Sequence, residues 1–164
     1  MVTTSVKGLA KLQAVLNTLP AKLEKNILRS AMRQGANVVM KKARQNITDD
    51  DSVETGLMRK GIKVRTKSKR GLVIASIRAT GKHAYLANWI EYGVQPHSIK
   101  KGAKLASGKG QDGTPHPGFA PKPFLRPALD TEMQTATVAI GNAIKKRLLT
   151  KYGINTPMIE VEAE

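Results

Sequence analysis

Histidines and carboxylates are the side chains of this 164-residue chain that could bind a metal ion. His97, Asp112 and His116 lie in one segment rich in Gly and Pro, and Glu91 precedes it. A zinc site needs three or four ligands in a fixed geometry, and the spacing of these four matches no zinc motif. The segment is also predicted to be a loop, with no helix or strand to fix the imidazoles. We therefore expect no metal ion and no cofactor.

Other patterns that could support catalysis are equally weak. The adjacent carboxylates Asp49 to Asp51 lack the regular ligand spacing of a calcium loop, which favours a solvated loop. The glycines of Ser107 to Gly113 neither follow a strand nor open a helix, so they fit neither a dinucleotide fingerprint nor a Walker loop. The serines lack the context of a nucleophile elbow. We expect a protein that is not an enzyme.

Net charge is the strongest compositional signal. Lys and Arg total 28 against 12 Asp and Glu, a formal net charge of +16 with a pI of about 10.3. Such a balance indicates polyanionic partners: nucleic acid, anionic lipid or acidic protein surfaces. Residues 55 to 90 hold nine Lys or Arg and no acidic residue. No apolar run approaches the ~20 residues that span a bilayer, so no membrane partner is expected.

Hydrophobic periodicity predicts the elements that would position these residues. Amphipathic helices are predicted over Val6 to Thr18, ended by Pro20, and from Leu23 to Ile47. A last helix begins at Pro123 to Pro127, and its apolar stripe is Leu125, Leu129, Met133, Ala136, Ile140, Ile144 and Leu148. Past Tyr152 the chain is predicted to be irregular.

The short apolar stretch from Ala84 to Tyr92 is a helix or a buried strand. Helix is favoured because Tyr85, Trp89 and Tyr92 fall at helical spacing, and Gly93 then serves as its C-cap.

Gly61 to Thr80 is predicted to be a β-hairpin, with alternating side chains before a Lys-Ser-Lys-Arg-Gly turn. One face of its first strand is cationic. A solvated face is favoured over a polyanion-binding face, because no aromatic residues are interleaved for base stacking. The residues that would contact a polyanion or an acidic partner are Lys63, Arg65, Lys67, Lys69 and Arg70.

A soft loop is predicted at about 94–118, held by Trp89 and Tyr92 at one end and by Phe119 and Phe124 at the other. The predicted fold class is α+β: two N-terminal helices, a small antiparallel β-sheet built on a hairpin, a long loop and a long C-terminal helix. Residues 1–150 are predicted to form a single domain and residues 151–164 a C-terminal tail.

Four motifs stand in a fixed order along the chain. They are VKGLAKL from Val6, TGLMRKGIKV from Thr55, ANWIEYGVQPH from Ala87 and PKPFLRPALD from Pro121. Together they resemble the tail-completion, or head–tail joining, proteins of long-tailed bacteriophages, the family that includes the lambda minor tail protein Z. The resemblance covers about Val6 to Leu149.

The resemblance implies a non-catalytic virion protein, made in the host bacterial cytoplasm and located at the neck, the head-proximal end of the tail. It implies a ring, expected to be a hexamer, that makes the tail competent to join a DNA-filled head. The implied partners are further copies of the chain, tail terminator or tail tube proteins, head connector (stopper or adaptor) proteins and DNA in the channel.

We expect the loop to become ordered against an adjacent subunit or ring. The residues expected in these contacts are Trp89, Glu91, Tyr92, His97, Lys100, Lys101, Phe119, Phe124 and Arg126. The basic surface could touch DNA or acidic protein. Protein is favoured for most of the charge, because dense fixed lysines would retard sliding DNA. The alternative function is a stand-alone basic nucleic-acid-binding protein, for which the sequence shows no helix-turn-helix, zinc finger or stacking platform.

Overall fold

The computed structural model describes most of the chain, and the elements below belong to those residues. The described ranges are 4–47, 56–81, 84–99, 104–105, 108–109, 114–156 and 160–163. The helices are α1 (Leu9–Asn17), α2 (Ala21–Asn46), α3 (Leu57–Gly61), α4 (Ala84–Tyr92) and α5 (Leu125–Tyr152). The strands are β1 (Thr4–Lys7), β2 (Ile62–Lys69), β3 (Leu72–Ala79), β4 (His97–Ile99), β5 (Lys104–Leu105), β6 (Gly108–Lys109), β7 (Thr114–His116) and β8 (Glu160–Ala163).

The two long helices, α2 and α5, pack along each other and form the centre of the fold. The buried residues of α2 are Ile27, Ala31, Gly35, Val39 and Ala43, which lie at four-residue steps on one face, as expected of the predicted amphipathic helix. Gly35 permits the close approach of the helices, because a Cβ there would lie 2.9 Å from the carbonyl oxygen of Ala136.

The predicted stripe of α5 is only partly covered. Ile144 and Leu148 are buried, together with Ala128 and Ala143, but Leu129 and Met133 are about half exposed.

The predicted hairpin is confirmed as the antiparallel pair β2–β3, which packs one face against α2. Its two-residue loop is Arg70-Gly71, and both residues have positive φ, at 52° and 78°. Two positive φ angles are typical of the type I′ turn, whose twist matches that of the flanking strands. The inner face of β2 holds the buried Ile62 and Thr66, and the guanidinium of Arg33 on α2 donates to the Thr66 hydroxyl at 3.3 Å.

Three further strand pairs lie where the sequence predicts none. β1 pairs with β8, so residues predicted to be an irregular tail contain a strand, and α1 is shorter than predicted. β4 pairs with β7 and β5 with β6, which makes the described residues of the predicted soft loop a β-ribbon. The prediction of a soft loop did not include these strand pairs, and residues 100–103, 106–107 and 110–113 of that loop lie outside the described residues. Pairing of β4 with β7 is compatible with Pro115, because Pro is tolerated on an edge strand.

The buried side chains fall into two clusters, both of which use α2 and α5. One adds α1, with Leu12 and Leu16. The other adds α3, α4 and the hairpin, and contains Met58, Ile62 and Phe124. None of the helices in the described ranges combines the length and the apolar character that crossing a membrane requires.

Candidate subunit interface

Glu91 connects the end of α4 to the beginning of α5. Its side chain is 8% exposed, and its carboxylate accepts three hydrogen bonds from backbone N–H groups. Phe124 and Leu125 donate to Oε2 at 2.8 and 2.9 Å, and Arg126 donates to Oε1 at 3.1 Å. The role predicted for Glu91 is an inter-subunit contact, and this capping role within the chain was not predicted.

The Glu91 carboxylate caps the N-terminus of α5. A helix leaves its first N–H groups without a partner in the helix, and negative charge there is favoured by the helix dipole. Glu91 satisfies the donors of Phe124, Leu125 and Arg126, and Pro127 has no N–H to satisfy. Phe124 is the N-cap residue, and it provides no side-chain capping hydrogen bond. The cap is supplied from α4 instead.

The base of the ribbon is held by backbone contacts. The N–H groups of Val94 and Phe119 each donate to the carbonyl of the other, at 3.0 and 2.9 Å. The N–H of Lys122 donates to the carbonyl of Ile90 at 2.7 Å, near the C-terminal end of α4. Gly93 follows α4 with φ of 73°, which confirms its predicted role as a C-cap.

Gly118 allows the two sides of the ribbon base to meet. Its φ is 70°, and a Cβ there would contact the carbonyl oxygen of Val94 and lie 2.9 Å from the nitrogen of Pro96. Any larger residue at position 118 would therefore push the two segments apart.

We expect Gly118→Ala to open the ribbon base. Hydrogen exchange of the Phe119 amide, which bonds Val94, should become at least about tenfold faster because the new Cβ has no room. Gly153→Ala is the matched control: φ there is 66°, and nothing lies within 4 Å of its Cβ position. Both variants carry the left-handed strain of about 1–2 kcal/mol, and only the first adds a clash. Equal protection of Phe119 in the two variants would contradict this account.

Two histidines face each other across the ribbon. His97 and His116 are paired in the register of β4 and β7, and their rings stack with centroids 4.9 Å apart. The Nδ1–H of His97 donates to the carbonyl of Gln95, and the N–H of Gly118 donates to Nδ1 of His116. Strands therefore fix both imidazoles, contrary to the sequence expectation. No three metal-binding side chains converge within the described residues, which do not include Asp112.

The aromatic side chains at the ribbon base are mostly on the surface. Tyr92 is 78% exposed, Trp89 48% and Phe119 43%, and Tyr85 makes an edge-on contact with Trp89 at 5.0 Å between centroids. These four residues, Tyr85, Trp89, Tyr92 and Phe119, are called the aromatic surface below. Of the four aromatic residues predicted to hold the ends of the loop, only Phe124 is buried, and the role of Trp89, Tyr92 and Phe119 stays a prediction.

Two depressions lie along α5, and the first of them meets the aromatic surface at Tyr92. One has a volume of about 350 Å³ and is lined by Asn88, Glu91, Tyr92, Leu125, Arg126 and Leu129. The other, of similar volume, is an apolar groove between α2, β3 and α5 that shares Leu125 and Leu129 with the first. Leu129 is 48% exposed and Met133 54%. The aromatic surface together with Leu129 and Met133 is called the apolar face below, and exposed apolar side chains grouped in this way are typical of an interaction site.

The residues predicted for inter-subunit contact are divided by the fold. His97 and Arg126 are exposed like Trp89, Tyr92 and Phe119, whereas Glu91 and Phe124 are buried within the chain. Lys100 and Lys101 lie outside the described residues. The inter-subunit role of the set stays a prediction. The exposure of Leu129 and Met133 was not predicted, because their helical spacing with Leu125 is equally typical of a buried stripe.

The residues predicted for polyanion or acidic-partner contact all lie on the hairpin. Lys63, Arg65, Lys67, Lys69 and Arg70 are exposed. Their contact with a partner also stays a prediction.

Comparison with known families identifies one family model that matches this chain. A family model described as "Bacteriophage HK97-gp10, putative tail-component" matches residues 10–93, just over half of the chain. The match includes α2, the hairpin and α4 and ends at Gly93. No curated protein and no solved structure gave a significant match. The chain therefore belongs to the HK97-gp10-like family of bacteriophage tail components, structural proteins of the virion.

Proposed function

We propose that this protein is a tail-completion component that forms a ring at the head-proximal end of the phage tail and makes the tail competent to join a DNA-filled head. It acts without catalysis, as a mechanical and adhesive part of the neck. Its partners are further copies of itself, a tail terminator or tail tube protein on one side and a head connector protein on the other. The family assignment supports a tail component, and the resemblance to tail-completion proteins supports a role in joining the tail to the head.

The exposed apolar face is the observation that carries the proposal. The aromatic surface continues through Leu129 to Met133, and these side chains are about half exposed or more in the single chain, except Phe119 at 43%. Trp and Tyr are enriched among the hot-spot residues of interfaces, where the partner removes them from water. A ring subunit needs such a face, because each copy contacts its neighbour through two unlike surfaces.

The rigid base beneath this face supports the same proposal. Glu91 ties α4 to α5, and the backbone bonds at Val94 and Phe119 fix the ribbon next to Tyr92. The aromatic surface is therefore held in one geometry before a partner arrives, which reduces the entropy that binding must overcome.

Electron microscopy of particles from cells lacking this protein tests the role. We expect finished tails that do not join filled heads, and joining restored when the purified protein is added. Rings of about six copies should then be visible at the restored necks. Normal infectious particles made without the protein would reject the proposal. A salt-titrated DNA-binding measurement would then test the alternative, a stand-alone nucleic-acid-binding protein.

A further inference from the structure

The outer face of the β2–β3 hairpin has two chemically different halves. Residues of β2 that point away from α2 are Lys63, Arg65, Lys67 and Lys69, and all four are exposed. Their cross-strand partners on β3 are Arg78, Ser76, Ile74 and Leu72 in that order. Cross-strand partners in an antiparallel pair share a face. The face therefore carries a row of cations beside a pair of apolar residues near the turn.

The apolar half is as accessible as the cationic half. Leu72 is 61% exposed and Ile74 is 50% exposed, directly opposite Lys69 and Lys67. The alternate residues of β3 are half-buried toward the inside, so the exposure of Leu72 and Ile74 follows the strand alternation.

A second copy of this chain is a poor partner for this face. The segment 55–90 that contains it has nine Lys or Arg and no acidic residue, and the whole chain has a net charge of +16. Two such faces would repel each other. An acidic surface on a different protein is therefore favoured, because a chain with a net charge of +16 offers little acidic surface of its own.

Leu72 and Ile74 favour a protein partner over a DNA partner. A phosphate backbone offers negative charge but no apolar surface for Leu72 and Ile74, and sequence-independent DNA contacts are made by cations and polar groups. A protein surface can place carboxylates next to apolar side chains, and it would then match both halves of the face at once.

We propose that the outer face of the β2–β3 hairpin docks onto an acidic protein surface that has an apolar spot beside its carboxylates. The inference rests on the proposed role in joining, since the surfaces that a neck protein meets belong to the tail and the head. The cations set the speed and orientation of docking, and Leu72 with Ile74 supplies the contact that slows dissociation.

Two variants separate the halves of the face. The first replaces Lys63, Arg65, Lys67 and Lys69 with Gln. The second is Leu72→Thr with Ile74→Thr, which places β-branched residues, favourable in strands, at both positions. Each labelled variant is sedimented with tails from phage lacking the protein, with filled heads and with duplex DNA. Both variants should bind tails or heads at least about tenfold more weakly than the unchanged protein. The Thr variant should keep its DNA affinity.

Three results would overturn the docking proposal. The Thr variant could bind tails and heads normally while the Gln variant loses DNA affinity, which would assign the face to DNA. The unchanged protein could bind neither tails nor heads. The Gln variant could keep full binding to both particles. Far-ultraviolet circular dichroism and Tm confirm folding, and Ile74→Thr alone replaces the double variant if Tm falls.

The same samples distinguish failure of docking from failure of the proposed function. If the unchanged protein restores joining and the Thr variant restores it equally, docking through this face is rejected and the joining role stands. If the unchanged protein binds tails through both halves of the face but restores no joining, the joining role is rejected and docking stands.

Discussion

Glu91→Ala is expected to lower the free energy of unfolding by about 3 kcal/mol, which corresponds to a fall in Tm of roughly 10 °C for a chain of this size. The substitution removes the acceptor of three backbone N–H groups at the beginning of α5, and the Phe124 donor among them is buried. Donors left unsatisfied in the interior lose their bonds to water without replacement. Thermal unfolding followed by circular dichroism measures the effect.

Two further variants define the cause. Glu91→Gln keeps one acceptor oxygen but loses the charge, so its Tm should lie between those of the Ala variant and the unchanged protein. Glu24→Gln is the control, because Glu24 places a half-exposed carboxylate at the first turn of α2, as Glu91 places a buried one against the first turn of α5. Its cost should be about 0.3–1 kcal/mol. A Glu91→Ala variant that is no less stable than Glu24→Gln would refute the capping role.

Trp89→Ala combined with Tyr92→Ala is expected to reduce head–tail joining at least about 100-fold while the chain stays folded at the temperature of the assay. Tyr92 is 78% exposed and Trp89 48% exposed, and neither side chain belongs to the two buried clusters, so the clusters keep all their members in the double variant. At an interface, loss of two aromatic hot spots costs about 2 kcal/mol or more each. Joining is measured as infectious titre after the purified variant is added to heads and tails that lack the protein.

Tyr152→Ala provides the control for this prediction. Tyr152 is 37% exposed and lies at the opposite end of α5 from Leu125, roughly 40 Å away along the helix axis. Its truncation removes the same chemical group from a surface outside the apolar face, and joining should be unchanged. Normal joining by the Trp89 and Tyr92 double variant would exclude the aromatic surface from assembly.

Hydrophobic periodicity predicted those helices and strands whose pattern lies within one continuous stretch of the sequence. Alternation identified the β2–β3 hairpin, and helical spacing identified α2, α4 and α5. The pairing of β1 with β8 has no local signal, because two four-residue strands at positions 4–7 and 160–163 meet only in the folded chain. The ribbon was missed because Gly and Pro in a segment are typical of loops, and strand pairs of two or three residues leave little pattern.

The cap on α5 could have been inferred from what the sequence lacks. No Ser, Thr, Asp or Asn stands directly before Leu125 to provide a local cap, so its N–H groups need an acceptor from elsewhere. Glu91 lies between Ile90 and Tyr92 in an apolar helix, where a buried carboxylate requires donors. The contact has no local signal, because Glu91 and Leu125 are 34 residues apart in the sequence.

The contact between Glu91 and α5 is made by a side chain on one partner and by main-chain atoms on the other. Every amino acid except Pro offers the same N–H, so positions 124 to 126 can exchange side chains without losing these bonds, whereas position 91 has almost no substitute. Related proteins should therefore keep an acidic residue at position 91 while Leu125 and Arg126 vary with the partner they meet. The side chains at positions 125 and 126 can therefore change without loss of the Glu91 cap, because the cap bonds only to their backbone.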